Sequence, residues 1–132
     1  MVKGIGHIAV LAGNLEETVA VYRELLGASP GEVKTLPEMG VKVAVLDVGG
    51  ETELEVLEPL PGSNLEKVLK ERGEGIHHIC FNVDDIEGEL ELLDGKGVKL
   101  IDRKARRGLE GMVAFIHPKA TGGVLVELCQ RY

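Results

Sequence analysis

The fold is decided by the stretch Gly4-Ile5-Gly6-His7-Ile8-Ala9-Val10, because it returns later in the chain as Gly75-Ile76-His77-His78-Ile79-Cys80-Phe81. His78 lies 71 positions after His7, and Glu127 follows Glu55 at an offset of 72. Self-similarity at one spacing indicates a tandem repeat. The sequence therefore predicts one domain made of two modules, about 1–60 and 73–132, joined by a connector over about 61–72.

Each module is predicted to contain one strand, one helix and three further strands. In the first module Asn14 is a suitable helix N-cap, apolar residues recur after it at helical spacing, and Gly27 ends the helix. In the second module Asp84 or Asp85 precedes a similar run that stops at Gly95 and Gly97. Other elements are expected at Val41–Leu46, Thr52–Leu57, Asn64–Arg72, Met112–Ile116 and Val124–Leu128. Two βαβββ units predict an α+β fold.

Composition excludes several classes of protein. The chain has 132 residues and a formal net charge of −7 at pH 7, so it offers no broad positive field for nucleic acid or an anionic membrane. No segment is long and apolar enough to span a bilayer, and the N-terminus lacks the apolar stretch of a signal peptide. A cytoplasmic location is expected. Cys80 and Cys129 are expected to be reduced, inert thiols, because a single possible disulfide is not the disulfide framework that is typical of small secreted proteins.

Four side chains occupy matching places in the repeat, His7 and His78 in the first strands and Glu55 and Glu127 in the last strands. If the modules close into one sheet, these groups converge and form a site for a divalent cation. Two imidazoles with one or two carboxylates suit Zn, Co, Mn, Fe or Ni better than Ca. The alternative is that each is an ordinary solvated or hydrogen-bonded residue, but a carboxylate between apolar strand neighbours is costly to bury unpaired.

Several neighbouring residues leave alternatives open. Glu53 lies two positions before Glu55 and points to the same face of a strand, so only the repeat favours Glu55 as the ligand. His77 has no counterpart in the first module and is expected to face away from the site. His117 is expected to cap a turn or lie on the surface. Glu38, which also has no counterpart, is either a catalytic base or an exposed turn residue.

The motifs around these residues resemble the vicinal oxygen chelate superfamily and, within it, the methylmalonyl-CoA epimerase family. The resemblance rests on the segments Pro37–Val41, Glu55–Leu60, Gly75–Phe81 and His117–Leu128. It extends over nearly the whole chain. It implies that the two modules form an open, eight-stranded, mixed barrel-like sheet around a divalent metal.

The same resemblance implies roles for particular residues. His7, Glu55, His78 and Glu127 would hold the metal, with Co²⁺ as first choice and Zn²⁺, Mn²⁺ or Ni²⁺ as alternatives. Glu38 and Glu127 would be the acid/base pair that removes the C2 hydrogen of methylmalonyl-CoA and returns it on the opposite face, through an enolate. The implied partners are a small-molecule CoA thioester and a second copy of the chain, as a homodimer.

Rival functions remain on the same fold, because a fold alone does not determine activity. An extradiol dioxygenase would use His7, His78 and Glu127 as an iron triad. A fourth ligand at Glu55 and a second acid at Glu38 argue against it, since oxygen chemistry needs open coordination positions. A glyoxalase-type isomerase would act on glutathione adducts, and a metal-free binding protein would not need four converging ligands.

Overall fold

The computed structural model describes every residue from Met1 to Tyr132. Its helices are α1 (Leu15–Leu26), α2 (Asn64–Arg72) and α3 (Ile86–Gly95). Its strands are β1 (Val2–Leu11), β2 (Ser29–Leu36), β3 (Val41–Asp47), β4 (Glu53–Pro59), β5 (Gly75–Val83), β6 (Arg106–Arg107), β7 (Gly111–Ile116) and β8 (Val126–Arg131). The element order is βαβββ in both modules, with α2 between them, so the predicted α+β fold is confirmed.

The chain forms two compact units, His7–His77 and a second made of Met1–Gly6 with His78–Tyr132. In the first unit the strand order is β2-β3-β4-β1, with β1 parallel to β4 and the other pairs antiparallel. In the second unit the order β6-β7-β8-β5 repeats this pattern, with β5 parallel to β8. The mixed pairing of eight strands that was expected is therefore present.

One face of each sheet packs against the helix of its own module. In the first unit Leu15 and Val19 of α1 are buried with apolar residues of β3 and β4. In the second unit Ile86 and Leu90 of α3 are buried with apolar residues of β7 and β8. The histidine and glutamate candidates alternate with these core residues, because successive side chains of a strand point to opposite faces. Helix packing thus leaves the opposite sheet face for the candidate site.

The last strand of each module also caps the helix of that module. The N–H of Leu15 donates to Oε1 of Glu58 at 2.9 Å, and the N–H of Ile86 donates to Oε1 of Gln130 at 2.9 Å. Asn14 and Asp85 act as the N-caps, which decides between Asp84 and Asp85. The first N–H groups of a helix have no partner within the helix. In each module two of them are bound, one by the N-cap side chain and one by a side chain of the last strand.

The segment that carries Glu38 is a 3₁₀ helix, Pro37–Met39, between β2 and β3. It ends at Gly40, which has φ +69° and lies so close to Ser63 that an added Cβ would approach the Ser63 Cβ to 2.7 Å. Both the positive φ and the contact require glycine there. A second 3₁₀ helix, Pro118–Ala120, follows β7. None of the helices is long and apolar enough to cross a membrane.

Candidate metal and active site

The first unit buries one histidine–glutamate pair. Strands β1 and β4 run parallel, and their register places His7 opposite Glu53 and Ala9 opposite Glu55. His7 Nδ1 lies 3.3 Å from Glu55 Oε2, and the two side chains are only 10% and 9% exposed. Glu53 is less buried, although it shares the strand face. The structure therefore brings together the two residues that the repeat singles out and supports Glu55 over Glu53.

The second unit buries the equivalent pair. Strands β5 and β8 run parallel with Cys80 opposite Glu127. His78 Nε2 lies 3.3 Å from Glu127 Oε1, and the side chains are 7% and 10% exposed. The only buried polar or charged residues of the chain are His7, Glu55, His78 and Glu127. The repeat thus predicted the whole buried polar set.

The geometry of each pair fits a metal-binding role. Both nitrogen–oxygen separations of 3.3 Å exceed the ~2.8 Å of a charge-assisted hydrogen bond. Two ligand atoms on one cation, with bonds of ~2.1 Å, lie ~3.0 Å apart in an octahedral shell and ~3.4 Å apart in a tetrahedral one. Each pair offers one imidazole nitrogen and one carboxylate oxygen, donors that borderline divalent cations accept. The residues present therefore fit a divalent metal.

Two thiols lie on the same sheet face as the second pair. Cys80 and Cys129 are both buried and unoxidised, and they cluster with Val113. A hydrogen bond with Cys129, then burial, and then the negative charge of Glu127 raise the pKa of Cys80 far above its ordinary value. A protonated, buried thiol is a poor nucleophile. Both cysteines are buried beside Glu127, and the raised pKa of Cys80 is in keeping with the inert thiols that the sequence predicts.

Glu38 lies in a different environment from the four buried groups. Its side chain is exposed, and it sits on the 3₁₀ helix between β2 and β3. The sequence placed it correctly at the entry to a strand. An exposed carboxylate on a short turn that ends at a glycine is accessible to a ligand that arrives from solvent.

The remaining histidines have other roles. His117 Nδ1 accepts a hydrogen bond from the Lys119 N–H at 3.0 Å and caps the second 3₁₀ helix, which confirms the capping prediction. Partial desolvation, and then the positive charges of Lys99 and Lys119, lower the pKa of His117. His77 is half-buried and lines a small cavity with Leu11 and other first-unit residues. His77 directly precedes His78 on β5, so strand alternation directs the two side chains to opposite faces, in line with the expectation.

One residue near the site was missed by sequence reasoning. Phe115 lies opposite Glu127 in the β7–β8 ladder, and its ring is 5.4 Å from the His78 ring at an interplanar angle of 86°. Strand alternation was the available signal, because Phe115 occupies the same face of its strand as Val113. The repeat did not single Phe115 out, because the first module has no aromatic residue at the matching place.

Comparison with known proteins identifies the class. The sequence profile of the Glyoxalase/Bleomycin resistance protein/Dioxygenase superfamily matches residues 6–115. The chain belongs to this superfamily, which confirms the expected resemblance. The matched residues include nearly the whole first module and most of the second.

More specific relatives narrow the class. Mitochondrial methylmalonyl-CoA epimerase of Mus musculus is 39% identical, over 96% of this chain and 72% of that protein. Ethylmalonyl-CoA/methylmalonyl-CoA epimerase of Cereibacter sphaeroides is 37% identical, over 98% and 99%. A solved methylmalonyl-CoA epimerase in complex with methylmalonyl-CoA and NH4+ aligns with a TM-score of 0.91 and 34% identity, covering 99% of this chain and 96% of its own. Within the superfamily the chain therefore belongs to the methylmalonyl-CoA epimerase family of isomerases.

Proposed function

We propose that the protein interconverts (2R)- and (2S)-methylmalonyl-CoA by moving the proton on C2 from one face to the other. One observation carries this proposal: each module buries a histidine–glutamate pair at an equivalent place, with the same separation of 3.3 Å. Family membership supports the choice of an epimerase over the glyoxalase and dioxygenase alternatives. The substrate class is inferred from relatives that are named for CoA thioesters of this kind.

The two pairs, His7 with Glu55 and His78 with Glu127, would together hold one divalent cation. We favour Co²⁺, with Zn²⁺, Mn²⁺ and Ni²⁺ as alternatives. When bound, the cation would draw electron density from the thioester carbonyl and so make the C2 hydrogen more acidic. The pairs themselves supply a buried, water-poor setting in which such an electrostatic effect is large.

Glu38 and Glu127 are the proposed acid/base pair. One carboxylate takes the C2 proton, the C–H electron pair delocalises into the thioester carbonyl as an enolate, and the other carboxylic acid returns a proton to the opposite face. The roles reverse for the other epimer. Glu127 Oε1 faces His78, so we assign Oε2 to the substrate. Exposure of Glu38 lets it meet a substrate that arrives from solvent.

The experiment that tests this function is deuterium exchange at C2. The purified protein, stripped with a chelator and then reloaded with Co²⁺, is incubated in deuterium oxide with (2R)- or (2S)-methylmalonyl-CoA. We expect loss of the C2 proton signal and formation of the other epimer with the loaded protein only. Absence of metal-dependent exchange from both epimers would contradict the proposal.

We further propose that the protein acts in the cytoplasm as a homodimer. The support is the family resemblance, because paired chains are common among vicinal oxygen chelate proteins. Light scattering on the purified protein would then give a mass of twice the 14.2 kDa of the chain. A mass of one chain at micromolar concentration would contradict the dimer and leave the proposed reaction unaffected.

A further inference from the structure

The imidazole of His78 has an aromatic neighbour in addition to Glu127. Phe115 and Glu127 face each other across β7 and β8, and the Phe115 ring stands nearly perpendicular to the imidazole, with centroids 5.4 Å apart. Perpendicular packing is a favoured arrangement of aromatic rings. Rotation of an imidazole about its terminal torsion is otherwise broad, so a flat neighbour restricts it.

Phe115 is itself held firmly by the loop that precedes β6. Its N–H donates to Oδ2 of Asp102 at 2.9 Å, and its carbonyl oxygen accepts the N–H groups of Ile101 and Asp102 at 3.0 and 3.2 Å. The Arg106 guanidinium lies over the ring, 5.6 Å from its centroid, and Arg106 Nε is 3.3 Å from Asp102 Oδ1. Backbone and ring of Phe115 are therefore fixed by the same carboxylate.

The first module lacks this arrangement. The residue opposite Glu55 in the β3–β4 ladder is Val45, which corresponds to Phe115 opposite Glu127. A valine offers no flat ring to an imidazole. Of the two histidines, only His78 therefore has this aromatic contact, and its partner Glu127 is the one with a proposed acid/base role.

We propose that Phe115 is a positioning residue that holds the His78 imidazole with Nε2 directed at Glu127 Oε1, and so raises the affinity of this pair for a divalent cation. The inference rests on the proposed metal site. Asp102 and Arg106 act one step further out, by holding Phe115. The role differs from simple packing, because the Phe115 ring lies on the face opposite the helix core.

The test compares Co²⁺ binding by the whole protein and its Phe115→Leu variant, with the visible absorption of the bound Co²⁺ as a second readout. We expect the dissociation constant to rise about 10-fold, the low end of the loss in affinity caused by removing a group that supports a metal ligand. The Co²⁺ absorption bands should shift, because the imidazole is less well fixed. Phe115→Tyr, which keeps the flat ring, should restore both readouts.

The matched control is Phe81→Leu. Phe81 is in β5 of the same unit but packs against the helix-side core, so the same change there should lower stability and leave Co²⁺ affinity and absorption unchanged. If Phe115→Leu fails to fold, Phe115→Met takes its place. It keeps most of the side-chain volume without the ring, and we expect the same loss of Co²⁺ affinity and the same shift in absorption.

The outcomes separate the two proposals. If the unaltered protein binds no Co²⁺, the proposed metal site is wrong and this inference falls with it. If the unaltered protein binds Co²⁺ and the Phe115 variants bind it equally well with unchanged absorption, only the positioning role is wrong. Equal losses in the Phe81 and Phe115 variants would likewise assign the effect to general packing.

Discussion

In the first module His7 meets Glu55 through Nδ1, whereas in the second His78 meets Glu127 through Nε2, with both separations at 3.3 Å. The surroundings differ more than the pairs do. Beside Glu127 lie Cys80 across the ladder to β5 and Phe115 across the ladder to β7. At the matching places of the first module, Ala9 and Val45 lie beside Glu55. The two modules thus share the donor groups and differ in the side chains that support them.

The difference extends to the edge strands. The first module has an eight-residue β2 that leads into the 3₁₀ helix of Glu38, and the second has a two-residue β6 formed by two arginines. Residues that bind one cation can occupy equivalent places in the two modules, because each contributes one donor atom. Two residues that transfer a proton to and from opposite faces of a carbon need not occupy equivalent places. On the proposed mechanism, the comparison therefore separates residues with a shared metal-binding role from Glu38, whose acid/base role has no counterpart in the other module.

The largest expected effect distinguishes the two glutamates. On the proposed mechanism Glu127→Gln removes both an anionic ligand and an acid/base group, so C2 exchange should fall about 10⁴-fold, the upper range for loss of such a group. Glu55→Gln keeps a ligand oxygen and should cost only about 10-fold. Exchange rates in deuterium oxide and bound Co²⁺ measure both. Equal losses would mean that the two glutamates have the same role.

Glu38→Gln tests the one-sided role next. Epimerisation should fall about 10³-fold, because one of the two proton-transfer groups is lost. Exchange of the C2 proton for solvent deuterium (wash-out) should persist for the one epimer that Glu127 deprotonates. Co²⁺ binding and the unfolding midpoint should stay unchanged, since Glu38 is exposed. Equal wash-out rates from both epimers would show that Glu38 is not the base.

The two histidines should behave alike. His7→Ala and His78→Ala each remove one donor from the proposed site, and each should weaken Co²⁺ binding by at least ~100-fold, since loss of groups that only support a ligand costs up to that much. Metal content after dialysis against equal Co²⁺ measures the effect. His117→Ala is the matched control, because His117 caps a turn. Retention of Co²⁺ by either variant would remove that histidine from the ligand set.

The smallest effect concerns the shared helix caps. Glu58→Ala and Gln130→Ala should each lower the free energy of unfolding by about 1 kcal/mol, because each leaves a helix N-terminal N–H without its side-chain acceptor. Urea unfolding of both variants measures this, with exposed Glu71→Ala as control. A loss of stability in only one variant would show that this hydrogen bond stabilises one module and not the other.

Much of the fold was predictable because its signals are local. Asn14, Gly27 and the apolar spacing between them marked α1, and Asn64–Arg72 was assigned as a helix with the bounds that the structure has. The short β6 was not predictable, since two arginines carry no alternating pattern. Alternation could have placed Phe115 on the site face of its strand but not beside His78, because a contact across strands depends on register.

The sequence by itself determined that the chain is a βαβββ repeat and that His7, Glu55, His78 and Glu127 are its matching polar residues, because a repeat places equivalent side chains at a fixed spacing. It left Glu53 and Glu55 as alternatives on one strand face. Only the tertiary structure decided which glutamate meets His7 and which ring meets His78. Those contacts arise from strand register and side-chain packing, which bring together residues far apart in the chain.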